Sequence, residues 1–168
     1  LSPEPSHGNG YQADHAALLC RTFRHWTGRD LVAPGPGEAE ALYRAPGIVL
    51  SHNTATDPLF TYANLAAQRL FEMPWQEIVG LPSRYSAEAP VRDERERLLA
   101  RVAEHGFIDD YQGVRIARSG RRFLIRRATV WNLIDAWPSE WQGAALNASD
   151  RSLAIETLTL VFDSLERA

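Results

Sequence analysis

The side chains able to do chemistry are few and scattered along the chain. His52 follows the apolar run Ile48-Val49-Leu50 and precedes Asp57-Pro58. A histidine there titrates near neutrality and suits a ligand contact or a pH-sensitive group; the plainer reading is a hydrogen bond that orders residues 53–57. Arg84 and Tyr85 sit together in Pro82-Ser83-Arg84-Tyr85-Ser86. A guanidinium beside a phenol can clamp a carboxylate or phosphate and stack on a ring. Its plainer reading is a surface loop pinned by an Arg84–Glu88 pair. Asn64 heads an apolar stretch at helical spacing, where its amide oxygen caps a free backbone N–H. The carboxylates do not converge. Asp109 and Asp110 are strand neighbours pointing to opposite faces, and Glu94 and Glu96 lie two apart on a helix. They read as solvated charges, so no metal site is assigned. No paired nucleophile and base is present, so no catalytic residue is assigned either.

Composition narrows the classes. The chain has 168 residues, 45% of them hydrophobic and 23% charged, which fits one soluble domain rather than a disordered or rod-like chain. All 18 basic residues are arginine, which removes lysine Schiff-base chemistry and lysine-dependent phosphate loops. A net charge of −3 argues against a generic grip on nucleic acid or anionic membrane. Arg121-Arg122 and Arg126-Arg127, with Phe123 and Trp131 between and beside them, could mimic a nucleic-acid platform. Asp109, Asp110 and Asp135 dilute it, and cross-strand salt bridges are the better account. Cys20 is the one cysteine, so no internal disulfide or cysteine zinc site forms, and a reducing cytoplasm is expected. No apolar run approaches the ~20 residues of a membrane span. The opening LSPEPSHGNGYQADH has neither a basic start nor an apolar core and does not read as a signal peptide.

The elements that position these residues follow from periodicity. Residues 1–10 read as a disordered lead-in. Leu18, Leu19, Phe23 and Trp26 fall on one face of a helix over 14–27, whose apolar stripe needs either the main body or a second copy. APGPGEAE is a linker leading to a short helix at 37–44. Strands are expected at 47–53 and 59–64, short helices at 65–73 and 75–80, and a longer helix at 92–106. Ser119-Gly120 divides residues 107–135 into a hairpin, and a last strand is expected near 141–147. The tail is ambiguous: Leu158, Val161, Phe162 and Leu165 suit a helix, whereas Ile155, Thr157, Thr159 and Val161 suit a strand. Helix is preferred. The fold class is α+β, a five-stranded antiparallel sheet with short helices on one face and an amphipathic helix in front.

That order, with several short helices between strands two and three, resembles a PAS domain. FTYANLAAQRLFEMPWQEIVGLP carries the resemblance, with Asn64 opening a helix, then Leu70-Phe71, Glu77 and Ile78-Val79-Gly80. A closer likeness over about residues 16–146 is to the MEKHLA family, a PAS-related domain that also occurs free-standing in bacteria. It rests on LYRAPGIVLSHNTATDPLFTYAN, LPSRYSAE, ERLLARVAEHGFIDDYQGVRIARSGRRFLIRRATVWNLID and WQGAA, with RTFRHWTGRDL in the preceding helix. AALNAS departs from the family pattern, where an aromatic or large apolar residue is expected after the alanine pair.

The resemblance implies a PAS-like core at 37–148, preceded by lead-in, helix and linker at 1–36 and followed by an extension at 149–168. It implies a sensory or regulatory role and self-association as a homodimer. It also implies a cavity between sheet and helices, for which His52, Tyr62, Asn64, Arg84, Tyr85, Ser86, Arg115, Arg127 and Trp131 are the candidate contacts. Leu18, Leu19, Phe23 and Trp26 are the candidate association face. No cofactor is assigned. His105 lies where haem-binding PAS domains place an iron ligand, yet it precedes a helix-ending glycine, where it suits the helix dipole. Flavin-adduct chemistry needs a cysteine between strands two and three, and none is there; passive flavin binding stays open. Two alternatives remain: a small isomerase- or hydrolase-like enzyme with His52 as base, and a purely structural dimerisation domain with a filled core.

Overall fold

The computed structural model describes residues 2–87, 92–134, 155–162 and 165–167. Helix α1 (Ala13–Thr27) precedes a short α2 (Glu38–Arg44) and the hairpin β1 (Ile48–Asn53) and β2 (Phe60–Ala63). Three helices follow, α3 (Leu65–Phe71), α4 (Trp75–Ile78) and α5 (Arg92–His105). The chain ends in β3 (Phe107–Ile116), β4 (Arg122–Ile134), β5 (Ile155–Phe162) and β6 (Leu165–Arg167). The strands form one antiparallel sheet in the order β2-β1-β5-β4-β3, with β6 pairing β4. Among the described residues no helix is long and apolar enough to cross a membrane.

Local sequence sets most of these elements. Pro74 opens α4 with the fixed φ that suits a helix start, and Gly106 closes α5, its N–H bonding Val102 O at 2.8 Å. Ser119-Gly120 turns β3 into β4. The turn is pinned to the helices: Arg121 Nε pairs with Glu72 at 3.0 Å, Arg121 Nη2 donates to Leu70 O at 2.8 Å, and Arg118 pairs with Glu77.

The tail corrects the sequence reading. Residues 155–162, expected as helix in an extension beyond the core, are β5, hydrogen-bonded between β1 and β4. The β-branched alternation of Ile155, Thr157, Thr159 and Val161 prevails over the weaker helical period, because two strands with open edges await it. The strand expected at 141–147 lies outside the described residues.

The front of the chain corrects it again. Residues 2–10 pack on the body rather than forming a disordered lead-in. Pro5 is buried, Ser2 O accepts from Trp75 Nε1 at 2.9 Å, and Tyr43 OH donates to Glu4. The face of α1 expected to associate with other molecules is likewise used within the chain. Leu19 is fully buried and Phe23 nearly so, while Leu18 and Trp26 are half-buried against the same core. Phe23 meets Trp131 edge-on at 5.0 Å, and Trp131 Nε1 donates to Thr22 Oγ1 at 3.0 Å. Side chains alternate along β4, so Trp131 faces α1 while Asn132 turns the other way, its Nδ2 donating to Val102 O of α5 at 3.4 Å. Both faces of β4 are therefore covered here.

Gly106 lets these layers close. Its φ is +79°, and a Cβ there would sit 2.2 Å from the Trp26 ring. Trp26 Nε1 also donates to Asn132 O at 3.0 Å, which fixes the ring over the glycine. Gly106→Ala is expected to cost about 2 kcal/mol or more in urea unfolding. Adding Trp26→Ala removes the clash, so the double variant should lose less than the sum of the two single losses.

Candidate functional site

The most connected side chain is Asn64, at the junction of β2 and α3. It is fully buried. Its Oδ1 accepts from Ala67 N–H at 3.0 Å, the helix cap expected from sequence, and also from Val49 N–H of β1 at 3.1 Å. Its Nδ2 donates to Gly47 O at 2.7 Å and Ala45 O at 3.3 Å. One amide thus ties the start of α3, strand β1 and the loop after α2 together. Asn64→Ala leaves these groups buried and unpaired and should cost about 3 kcal/mol in urea unfolding. Asn64→Asp should fail similarly, because a carboxylate cannot donate to Gly47 O.

A second polar cluster lies where α1 crosses the hairpin. The β1–β2 register slips between Ser51 and His52, so Thr61 is an extra residue on β2. Ser51 Oγ lies 2.8 Å from Thr61 Oγ1 and 3.1 Å from His15 Nε2. The His15 ring packs on Tyr62 at 5.5 Å, and Tyr62 packs edge-on against Trp75 at 5.8 Å. Burial pushes the His15 pKa down and the Tyr62 pKa up, and the Tyr62 hydroxyl has no hydrogen-bond partner among the described residues. Burial, with Glu38 adding to it, pushes the Cys20 thiol up to about 12. A groove of about 460 Å³ opens beside His15, between Gln12, Leu18, Asn53 and Thr61. His15 and Ser51 make the contact of a base and a nucleophile. Ser51 is 0% exposed, however, and a buried hydroxyl cannot be reached by an acyl substrate. Sequence reading passed over His15, since a helical histidine four residues before Leu19 carries no motif; the signal was its position on the apolar face of α1.

The expected ligand contacts do not gather in one place. His52 Nδ1 lies 2.8 Å from Asn53 O, and the turn is ordered chiefly by Asn53, whose Oδ1 accepts from Leu59 N–H at 2.9 Å. Arg84 pairs with Asp57 and stacks on Tyr85 at 4.6 Å; Glu88, the partner expected from sequence, lies outside the described residues. Tyr85 is 58% exposed, so this pair lies on the surface. Ser86 is buried and donates to Ser83 O at 2.8 Å within its own turn. Arg115 Nη2 donates to Tyr111 OH at 3.1 Å. Arg127 is exposed, at φ +55°, in a bulge where residues 126 and 127 of β4 stand opposite residue 112 of β3. Tyr62 and Trp131 belong to the layer under α1. Arg121 of the basic patch pairs with Glu72 at the end of α3, and Asp110 of β3 pairs with Arg101 of α5. His105 is exposed, with Nδ1 3.0 Å from Arg101 O.

His15 makes stability pH-dependent. Its folded pKa lies below its unfolded value near 6.5, so the unfolded chain takes up the proton first as pH falls. Stability contributed by the neutral ring is full above 6.5 and is lost as pH drops below it. The packed neighbours Ser51, Thr61 and Tyr62 offer no carboxylate to offset the charge. His15→Gln should flatten the fall in melting temperature between pH 7.5 and 5.5 relative to the parent chain, measured with His25 unchanged in both.

No curated protein matches the sequence. Among solved structures, a fungal LOV domain photoreceptor superposes with a TM-score of 0.54 at 15% identity, covering 95% of this chain and 97% of that one. The PAS domain of nitrogen regulation protein NR(II) from Vibrio parahaemolyticus gives 0.51 at 18% identity, covering 77% and 95%. The PAS domain of a LuxR-family transcriptional regulator from Burkholderia thailandensis, in complex with ethanol, gives 0.50 at 17%, covering 74% and 93%. These likenesses establish a PAS/LOV-like fold. The MEKHLA domain model matches residues 13–151, which spans α1 through β4 and beyond, and the chain belongs to the MEKHLA domain family.

Proposed function

We propose that this domain is a sensory and regulatory module without catalysis of its own. It takes a small organic ligand between the sheet and helices α3–α5, associates with a second copy, or does both. The observation that carries this reading is family membership joined to a PAS/LOV-like fold. The inner face supports an apolar ligand: Phe71 of α3 packs edge-on against Phe123 of β4 at 5.2 Å, and Ile78, Val102, Ile125 and Val130 are buried nearby. Pockets of this kind are mostly apolar with a few polar groups. The relatives in fold include a domain of a transcriptional regulator with ethanol bound. A lone thiol suits a reducing cytoplasm. Self-association would use a surface other than Leu19 and Phe23, which are spent on the core.

Native mass spectrometry of the purified chain, with its visible absorption spectrum, tests this. A bound small mass supports the ligand reading, and an unliganded dimer supports association. An unliganded, colourless monomer overturns both.

A further inference from the structure

We propose that the groove between residues 44–48 and helix α3 binds a small organic monocarboxylate with an apolar body. The groove has a volume of about 660 Å³, within the range of small-molecule sites. One wall is a single helix face: Leu65, Ala66, Arg69 and Leu70 stand at positions i, i+1, i+4 and i+5. The other is the loop after α2, with Pro46, leading into Ile48. The floor is hydrocarbon, for Ile48 and Leu70 are nearly buried and Leu65 and Ala66 half-buried. Polar side chains enter only at the rim, as Arg44 and Arg69.

The walls are held at a fixed separation. Asn64 caps α3 through Ala67 N–H while its Nδ2 grips Gly47 O and Ala45 O in the facing loop. A ligand therefore meets a preformed slot and does not bear the ordering of a loop.

The charges select the head group. Arg44 is tethered through Nε to Glu40 at 2.8 Å, and its guanidinium lies 5.9 Å from the Tyr11 ring. Arg69 is exposed and has no hydrogen-bond or ion-pair partner among the described residues. Two guanidiniums less one carboxylate leave one net positive charge at the rim, on a chain whose net charge is −3. One positive charge with a planar donor fork fits a carboxylate, whereas a doubly charged phosphate would leave charge unmatched beside Glu40. The apolar floor then takes the body of the acid.

This goes beyond the reading above, because the groove opens to solvent outside the sheet–helix interior. The test titrates the full chain with octanoate, below its micelle-forming concentration, by calorimetry, with octanol and acetate as controls. Saturable one-to-one octanoate binding is expected, with octanol and acetate each weaker by about tenfold or more. Arg69→Gln should weaken octanoate by about tenfold, and Ala66→Phe, which fills the slot, should abolish binding, with urea midpoints confirming that both variants fold. Three results overturn the proposal: no saturable binding, octanol binding as tightly as octanoate, or octanoate binding unchanged in both folded variants. The last would place octanoate elsewhere, and none of the three alters the native-mass result for the interior ligand.

Discussion

The amide of Asn64 joins segments that no backbone ladder connects. Strand β1, helix α3 and the loop after α2 approach one another at a point where β1 enters the sheet and the helix begins, and each brings a main-chain group that has left its own pairing. In a buried setting these groups need partners, and only a side chain with both an acceptor and a donor can serve both kinds at once. Remove that bridge and α3 loses its cap and its tie to β1, leaving the arginine pins at the β3–β4 turn and the Phe71–Phe123 contact to hold it. The next residue pair inward repeats the device on a smaller scale, with Gln68 Nε2 donating to Ala63 O and to Tyr43 OH.

The sheet has an unusual demand for cover. From Ala128 to Leu133 the described residues of β4 are all buried or, at Asn132, half-buried. A strand reads as a continuous apolar run when it is enclosed on both sides, and an antiparallel sheet with one wet face would instead alternate. Helices α3 and α5 cover one side, through Phe71 and the Val102 carbonyl, and α1 covers the other through Phe23, Thr22 and Trp26. Helix α1 is thus part of the hydrophobic core, although it precedes the strands in sequence.

Much of this could be read from the residues. The strings LYRAPGIVLSHN and FTYANLAAQ located β1, β2 and the cap of α3, because turn chemistry and capping act over a few residues and leave local marks. The hairpin at Ser119-Gly120 was legible for the same reason. What escaped was non-local. Nothing local shows that Trp131 wants Thr22, 109 residues away, rather than a ligand. An apolar helix face looks identical whether it meets its own sheet or another copy. The tail was lost for a related reason: Leu158, Val161 and Phe162 fit both periods, and only the open positions on β1 and β4 decide. Among the expected contacts, Arg84 pairs with Asp57 of the β1–β2 turn, 27 residues away, a partner that no local motif announces.

The burial of Cys20 has a practical meaning. Its side chain, on the buried face of α1, is 3% exposed, and its thiol is held in the protonated form far above neutral pH. Only the thiolate alkylates or exchanges, so the closed protein hides its single thiol twice, by access and by charge. Lifting α1 reverses both at once. The chain carries, without any engineered label, a chemical clock for the separation of its first helix from the sheet. The rate at which an alkylating reagent consumes the thiol counts how often that layer opens.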